Sequence, residues 1–448
     1  MHDPVAFTIP EGIELDGHVV ATYLYQAPAR ADIHKLAAAL SEEQSSGTWV
    51  TLPHETEVVR GRHVGKIVSI WEVPDHEVEL PADRAVRDWV IQIAYPVHNF
   101  GPQIPLMLTT VIGNIASAGH LRLLDLLFPR SYTSQFKGPK FGIAGIRERL
   151  GIPTRPLLHV MIKPSIGLTP DESGQAFLEA ARGGADAIKD DELVVSHPWS
   201  HFLDRVRTHI PAARAAEEDT GEKTLYFCNI TDRPDRLLDN ARRAIDAGAN
   251  ALMVNYLVVG ISALSMLADD PEIDVPILAH LDFSGAIYGD PWSGVASHLV
   301  LGKLPRLAGA DIVVYPSPYG KFPFLVERHL RIAAALARPF HDVRPVWPMP
   351  GGGVHPGMVP ILHGDLGNDF MVGAGGAVHG HPLGPAAGAR ALRQAIDAVV
   401  AGKTLGEVAE VHRELQVALQ TWGGAPGARR IYDLMEASAA PEAAASQR

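Results

Sequence analysis

A single cysteine, Cys228, stands in 448 residues. That excludes an internal disulfide and suits a reducing compartment. Runs of lysine and arginine are also missing, and the formal net charge is −12, which argues against nucleic acid or an anionic membrane as partner. No uninterrupted apolar run reaches the length of a bilayer span. Met1-His2-Asp3-Pro4 has neither the basic nor the apolar region of a signal peptide. No Gly-x-Gly-x-x-Gly turn follows a first strand, so the main mark of a dinucleotide-binding sheet is absent. The expectation is a cytoplasmic protein without nucleic-acid or membrane partners.

Composition, with 46% hydrophobic and 20% charged residues, is that of a globular chain able to bury a sizeable core. Residues 1–145 mix strand-like runs at 18–25, 47–51, 66–73 and 89–95 with helical ones at 33–41 and 105–118. That order predicts a small α+β, ferredoxin-like N-terminal domain. From residue 155 the pattern repeats. Apolar runs at 157–162, 185–188, 225–230, 251–255, 275–281, 311–315, 345–347 and 370–372 are each followed by a helical stretch. Continuous apolar strands of this kind are buried on both faces. Eight such units predict a (β/α)8 TIM barrel over residues 146–436. The Ala/Ser/Glu-rich tail, 437–448, is expected to be disordered.

Barrel enzymes place their chemistry where strands end and the following loops begin. Strand one ends at Lys163 and strand two at Lys189-Asp190-Asp191-Glu192. Strands three and four end at Asn229 and Asn255, and strand five at His280 and Asp282. Strand six leads to Lys321, strand seven to Gly351-Gly352-Gly353, and strand eight to Gly373-Ala374-Gly375-Gly376. Alone, Lys189–Glu192 could be a charged loop at a strand end. At a barrel mouth it suits a hard cation, because Mg2+ takes oxygen ligands and keeps positions for water or substrate. Asp191 and Glu192 supply two such ligands, and Lys189 supplies a third only if its amine is chemically changed. Glycine lets backbone N–H groups approach an anion closely, so Gly352, Gly353, Gly375 and Gly376 read as a phosphate cradle. Taken alone, 43–49 reads as a polar surface turn.

Ile162-Lys163-Pro164, Gly183-Gly184-Ala185-Asp186, Lys189-Asp190-Asp191-Glu192 and Gly380-His381-Pro382 together resemble the RuBisCO large-subunit superfamily. Ser46-Gly47-Thr48-Trp49 and Ile112-Gly113-Asn114 extend the resemblance into the N-terminal domain. The resemblance implies a homodimer, or an oligomer of dimers, in which one N-terminal domain covers the partner's barrel mouth. It makes Glu43 and Asn114 site residues and puts Thr48 and Trp49 at the phosphate. It also implies that Lys189 carries a carbamate made from CO2 and binds Mg2+ with Asp191 and Glu192. Carbamylation needs a neutral amine, a form that burial favours. By the same resemblance Lys163 moves a proton at the carbon next to a carbonyl, and Lys321 belongs to the mobile loop after strand six. His280 either bonds substrate or metal water or is a satisfied core histidine.

The departures narrow the substrate. Ser165 replaces the family's second strand-one lysine. Its His-x-His-Arg reads His280-Leu281-Asp282-Phe283, and Val314 stands where a histidine is expected before the strand-six loop. Those missing cations hold the second phosphate of the family's bisphosphate substrate, and without them a second dianion lacks its strong, charge-assisted bonds. The expectation is a RuBisCO-like protein acting on a monophosphorylated sugar phosphate. Because Lys163 and Lys321 are both present, decarboxylation of 3-oxo-isoapionate 4-phosphate is the leading expectation. A 5-methylthioribulose-1-phosphate isomerase or a 2,3-diketo-5-methylthiopentyl-1-phosphate enolase is the alternative, and a catalytically idle metal-binding homologue the second.

Overall fold

A computed structural model describes residues 5–48, 50 and 52–424. Trp49 and the 437–448 tail lie outside them. The described chain forms two compact units. One holds the residues up to Lys137 together with Phe283–Leu307 and Phe340–Val343; the other holds the remainder. No helix among the described residues is long and apolar enough to cross a membrane.

In the first unit, Lys66–Val73, Val86–Pro96, His18–Pro28 and Leu121–Leu127 form an antiparallel sheet in that spatial order, and Gly294–Val295 adds a short parallel edge. Helix Ile33–Glu43 follows the first strand and helix Ile104–Ile112 the third, as the ferredoxin-like expectation requires. Asp32 caps the first helix by accepting from the N–H groups of His34 and Lys35.

Two local expectations fail here. Gly47, Thr48 and Val50 lie outside any strand. The amides of Ser45 and Gly47 donate instead to the Glu42 carbonyl, at 3.0 Å each, which turns the chain back over the helix end. The helix expected over 105–118 stops at Ile112, and a 3-10 turn, Asn114–Ser117, follows Gly113. A Cβ on Gly113 would lie 2.2 Å from the Thr109 carbonyl oxygen, so glycine permits that change of direction.

The second unit is the expected eight-stranded parallel barrel. Its strands are Leu157–Met161, Ala187–Lys189, Leu225–Asn229, Ala251–Val254, Ile277–Ala279, Ile312–Pro316, Trp347–Gly351 and Met371–Ala374. Each bonds to the next in sequence, and strand eight pairs with strand one, but no ladder joins strands seven and eight among the described residues. The sequence of strand seven, Trp347-Pro348-Met349-Pro350-Gly351, explains the gap. Trp347 donates to Asp311 at the base of strand six, so alternation turns Pro348 and Pro350 toward strand eight, where they have no N–H to give. A Cβ on Gly373 would stand 2.9 Å from the Pro350 carbonyl and 3.2 Å from the Gly351 Cα. Glycine therefore lets the two strands approach without bonds.

Helix Gly142–Leu150 closes the barrel floor. Ile146 and Leu150 pack with inward-facing Leu157, Ala187, Leu225, Ala251, Ile312 and Trp347. The Asp311 carboxylate accepts from the N–H groups of Phe141 and Gly142, at 2.8 Å each, and of Ile277 at 2.9 Å. Burial raises this carboxyl to about 6, against the pull of those three donors. The filled interior confines chemistry to the opposite rim.

Candidate active site at the barrel mouth

Four of the predicted residues meet at the ends of strands one and two. The strand alternation that sends Ala187 into the floor cluster sends Lys189 inward two residues later, and Lys189 is fully buried. Its Nζ donates to the Asp190 carbonyl at 3.0 Å and to Glu192 Oε2 at 3.1 Å. Lys163 Nζ donates to Asp191 Oδ2 at 2.5 Å and to Ser165 Oγ at 2.8 Å. Asp191 and Glu192 thus each face a lysine. Burial would raise the Glu192 carboxyl, but the Lys189 and His280 charges overcome it and hold the group down to about 2.

His280 joins the cluster. Its Nε2 lies 3.4 Å from Glu192 Oε2 and its Nδ1 3.3 Å from Asp282 Oδ2. Glu192, His280 and Asp282 offer three possible ligand atoms within 4.8 Å of one another. Asp282 was legible only as a strand ending, and the structure adds it to the site. The donors to a cation would be mainly carboxylate oxygens, which suits a hard divalent ion. A carbamate on Lys189 would lower the site's charge by two, which a divalent cation would restore.

Asp190 points the other way. It accepts from Arg205 Nε and Nη2 at 3.1 Å each, from Tyr226 OH at 2.9 Å and from the Asn229 N–H at 2.9 Å. It is thereby a structural member of the motif. Arg205 was missed as a site support, and His209 lies one turn further along the same helix. They occupy buried positions of helix Phe202–Thr220 beside Phe202, Val206 and Ile210. Two basic residues spaced i, i+4 on an otherwise apolar face were the available signal. Cys228, buried beneath, has its thiol pushed up by burial, as a packed small hydrophobe would.

The strand-seven glycine turn lies against Lys321. The Lys321 N–H donates to the Gly352 carbonyl at 2.8 Å, and Ser317 donates to Gly351 at 2.8 Å. Gly352 and Gly353 have φ of +89° and +88°, a region costly for other residues. A Cβ on Gly353 would lie 2.8 Å from the Lys321 nitrogen. Gly375 backs onto Lys163, whose Cε would sit 3.4 Å from an added Cβ, and Gly376 opens a one-turn helix, Gly376–His379. His379 is held down to about 4, mainly by burial and then by the Lys163 charge. Gly353→Ala is expected to raise the KM for a phosphorylated substrate about 10-fold or more while leaving kcat within a few fold, because strain and the Lys321 clash distort the cradle but not Lys163 or Lys189. Steady-state kinetics check this, and an unchanged KM would remove the strand-seven turn from the phosphate site.

In the first unit, Glu43, Thr48 and Asn114 line one groove with Tyr25, Leu36 and Ile115. Gln44 brings them together. Its Nε2 donates to the carbonyls of Thr109 and Thr110 at 2.7 and 2.9 Å, and its Oε1 accepts from the Ile115 N–H at 3.4 Å. One buried amide thus ties the end of the Glu43 helix to the turn that carries Asn114.

Comparison with known proteins gives consistent matches. The family model for the ribulose bisphosphate carboxylase large chain, catalytic domain, matches residues 142–322 and 325–422, and the model for its N-terminal domain matches residues 11–132. A ribulose bisphosphate carboxylase-like protein of Archaeoglobus fulgidus is 48% identical over 92% of this chain and 95% of its own length. The 2,3-diketo-5-methylthiopentyl-1-phosphate enolase of Geobacillus kaustophilus is 41% identical over 90% of this chain and 98% of its own. The crystal structure of a rubisco-like protein, MtnW, from Alicyclobacillus acidocaldarius superposes with a TM-score of 0.83 at 40% identity, covering 91% of this chain and all of that one.

These relatives correct the leading expectation. Decarboxylation of 3-oxo-isoapionate 4-phosphate is overturned by the enolase named among relatives that span nine-tenths of the chain. The error lay in taking the joint presence of Lys163 and Lys321 as a sign that a carboxylate leaves. The Lys321 N–H donates to the strand-seven glycine turn, a place it holds whether or not a carboxylate leaves.

Proposed function

The chain belongs to the ribulose bisphosphate carboxylase large-chain family as a RuBisCO-like member, and from that premise we propose that it is an enolase of 2,3-diketo-5-methylthiopentyl 1-phosphate or a close diketo monophosphate. The observation that carries this reading is the mouth itself. It keeps the paired lysines and acids and one glycine cradle, but has Ser165, Asp282, Phe283 and Val314 at the positions of the family's cations for a second phosphate. The residue after Asp282 is Phe283, an exposed apolar side chain with a left-handed φ of +71°. An apolar side chain at the position of the family's arginine suits a substrate whose far end is a thioether rather than a phosphate.

In this reading Lys189, as its carbamate, holds Mg2+ with Asp191 and Glu192. When bound, the ion acts as a Lewis acid that stabilises negative charge developing on the diketone oxygens. The glycine turns and Lys321 take the phosphate and fix C1 beside Lys163. Lys163 takes a proton from C1; the C1–H bond breaks, C1=C2 forms and the C2 carbonyl oxygen gains a proton. Nothing is lost or added, so the step is a tautomerisation. Proton transfer by a positioned group contributes roughly 10^2- to 10^4-fold. The active unit is a homodimer in this proposal, with Glu43, Thr48, Trp49 and Asn114 of one chain serving the partner's barrel.

The test is direct. Incubation of 2,3-diketo-5-methylthiopentyl 1-phosphate with the protein, Mg2+ and bicarbonate in D2O is expected to produce the enol and to place deuterium at C1, read by 1H NMR. Absence of both enol and exchange overturns the proposal.

A further inference from the structure

Asn229, Thr231 and Asn255 form a hydrogen-bonded lattice behind the acids of the mouth. The Thr231 N–H and hydroxyl both donate to Asn229 Oδ1, at 3.1 and 2.6 Å. That fixes the orientation of the Asn229 amide, because a backbone N–H can only donate. Asn229 Nδ2 then donates to the carbonyls of Asp191 and Glu192 at 3.3 and 3.2 Å. Thr231 Oγ1 accepts the Asn255 N–H at 3.0 Å, and Asn255 Nδ2 donates to the Glu192 carbonyl at 3.1 Å. Turning the Asn255 amide over would set two oxygens against each other, so its orientation is fixed as well.

One atom of the lattice is unused. Asn255 is only 7% exposed, and its Oδ1 is buried with no hydrogen-bond partner. Asn255 stands at the N-terminal end of the short helix Tyr256–Val259, yet its side chain makes no cap, although asparagine there normally caps through this oxygen. A buried acceptor without a donor costs about 1–3 kcal/mol. Such an atom calls for a donor, and an ordered water commonly supplies one.

We propose that Asn255 is a positioning residue of the cation site: it holds the Glu192 backbone through Nδ2 and accepts, at Oδ1, a hydrogen bond from a water that the cation carries. Mg2+ usually keeps several waters in its shell, and groups that orient ligands and shell waters influence affinity without touching the ion. Thr231 acts one step further back, by orienting the Asn229 amide and accepting the backbone N–H of Asn255. The inference rests on the reading that Lys189, Asp191 and Glu192 hold Mg2+.

Isothermal titration calorimetry of Mg2+ in bicarbonate, without substrate, tests it. Asn255→Ala and Thr231→Val are each expected to weaken Mg2+ roughly 10- to 100-fold. Thermal melting of the metal-free proteins supplies the second measurement, since Mg2+ should raise the melting temperature of wild type more than that of either variant. If wild type binds Mg2+ and both variants bind it within twofold, Asn255 is merely structural and the inference fails, whatever the metal-free melts show. If wild type itself takes up no Mg2+, the reading of the cation site fails first. Thr231→Val preserves shape, so the test survives a poorly folded Asn255→Ala.

Discussion

Lys189→Met is expected to remove Mg2+-dependent turnover almost entirely, lowering kcat/KM by about 10^3-fold or more, because loss of the Lewis acid forfeits several kcal/mol of transition-state stabilisation. Methionine keeps the length and apolar stem of a side chain that is fully buried, so packing changes little. What disappears is the nitrogen that would carry the carbamate. That nitrogen pairs with Glu192, and after carbamylation it would supply a third anionic donor. The variant leaves Asp191 and Glu192 in place with Lys163 still paired to Asp191, a set too weakly charged to hold a divalent ion tightly. Two measurements check this: Mg2+ affinity by calorimetry, and the mass of the wild-type protein under native conditions with and without bicarbonate. Retained Mg2+ affinity in Lys189→Met would show that the ion sits elsewhere, with Glu192, His280 and Asp282 the available set among the described residues.

The barrel and most of its rim were legible because each strand is a short apolar run and the polar residue that ends it is the one that reaches the mouth. Lys163, Lys189, Asp191, Glu192 and His280 were found by position alone, before any resemblance was used. The structure brings them together with distances of 2.5–3.4 Å. Other features were not legible in this way. The turn at 43–48 reads as surface polarity until Gln44, 71 residues from Ile115 in sequence, is seen to join the two segments. Long-range hydrogen bonds of that kind leave no periodic trace. The missing ladder between strands seven and eight was readable in Pro348 and Pro350, but only once the register against strand six fixed which way they face. The substrate was misread because retention of Lys321 was taken for a chemical demand, when its place beside the strand-seven turn satisfies a simpler one.

The network beneath Asp190 carries the largest expected stability effect. Arg205 and Asp190 are each only 2% exposed at the side chain, and Arg205 also donates to Ser200 and Val194. Breaking such a pair leaves one charge buried without its partner, at a cost of about 3–5 kcal/mol. Arg205→Leu is therefore expected to lower unfolding stability by about that amount, read from urea denaturation. Replacing both charges, as Asp190→Asn with Arg205→Leu, is expected to recover part of the loss, since no bare carboxylate remains, although Tyr226 and the Asn229 N–H keep only a weaker acceptor. The consequence reaches function because Asp190 lies between Lys189 and Asp191. Its side chain anchors the segment to strand three through Asn229 while its neighbours face the mouth. If the anchor positions the ligands, Arg205→Leu should weaken Mg2+ binding at temperatures where the variant remains fully folded, and a fall in stability with unchanged Mg2+ affinity would confine Arg205 to the core.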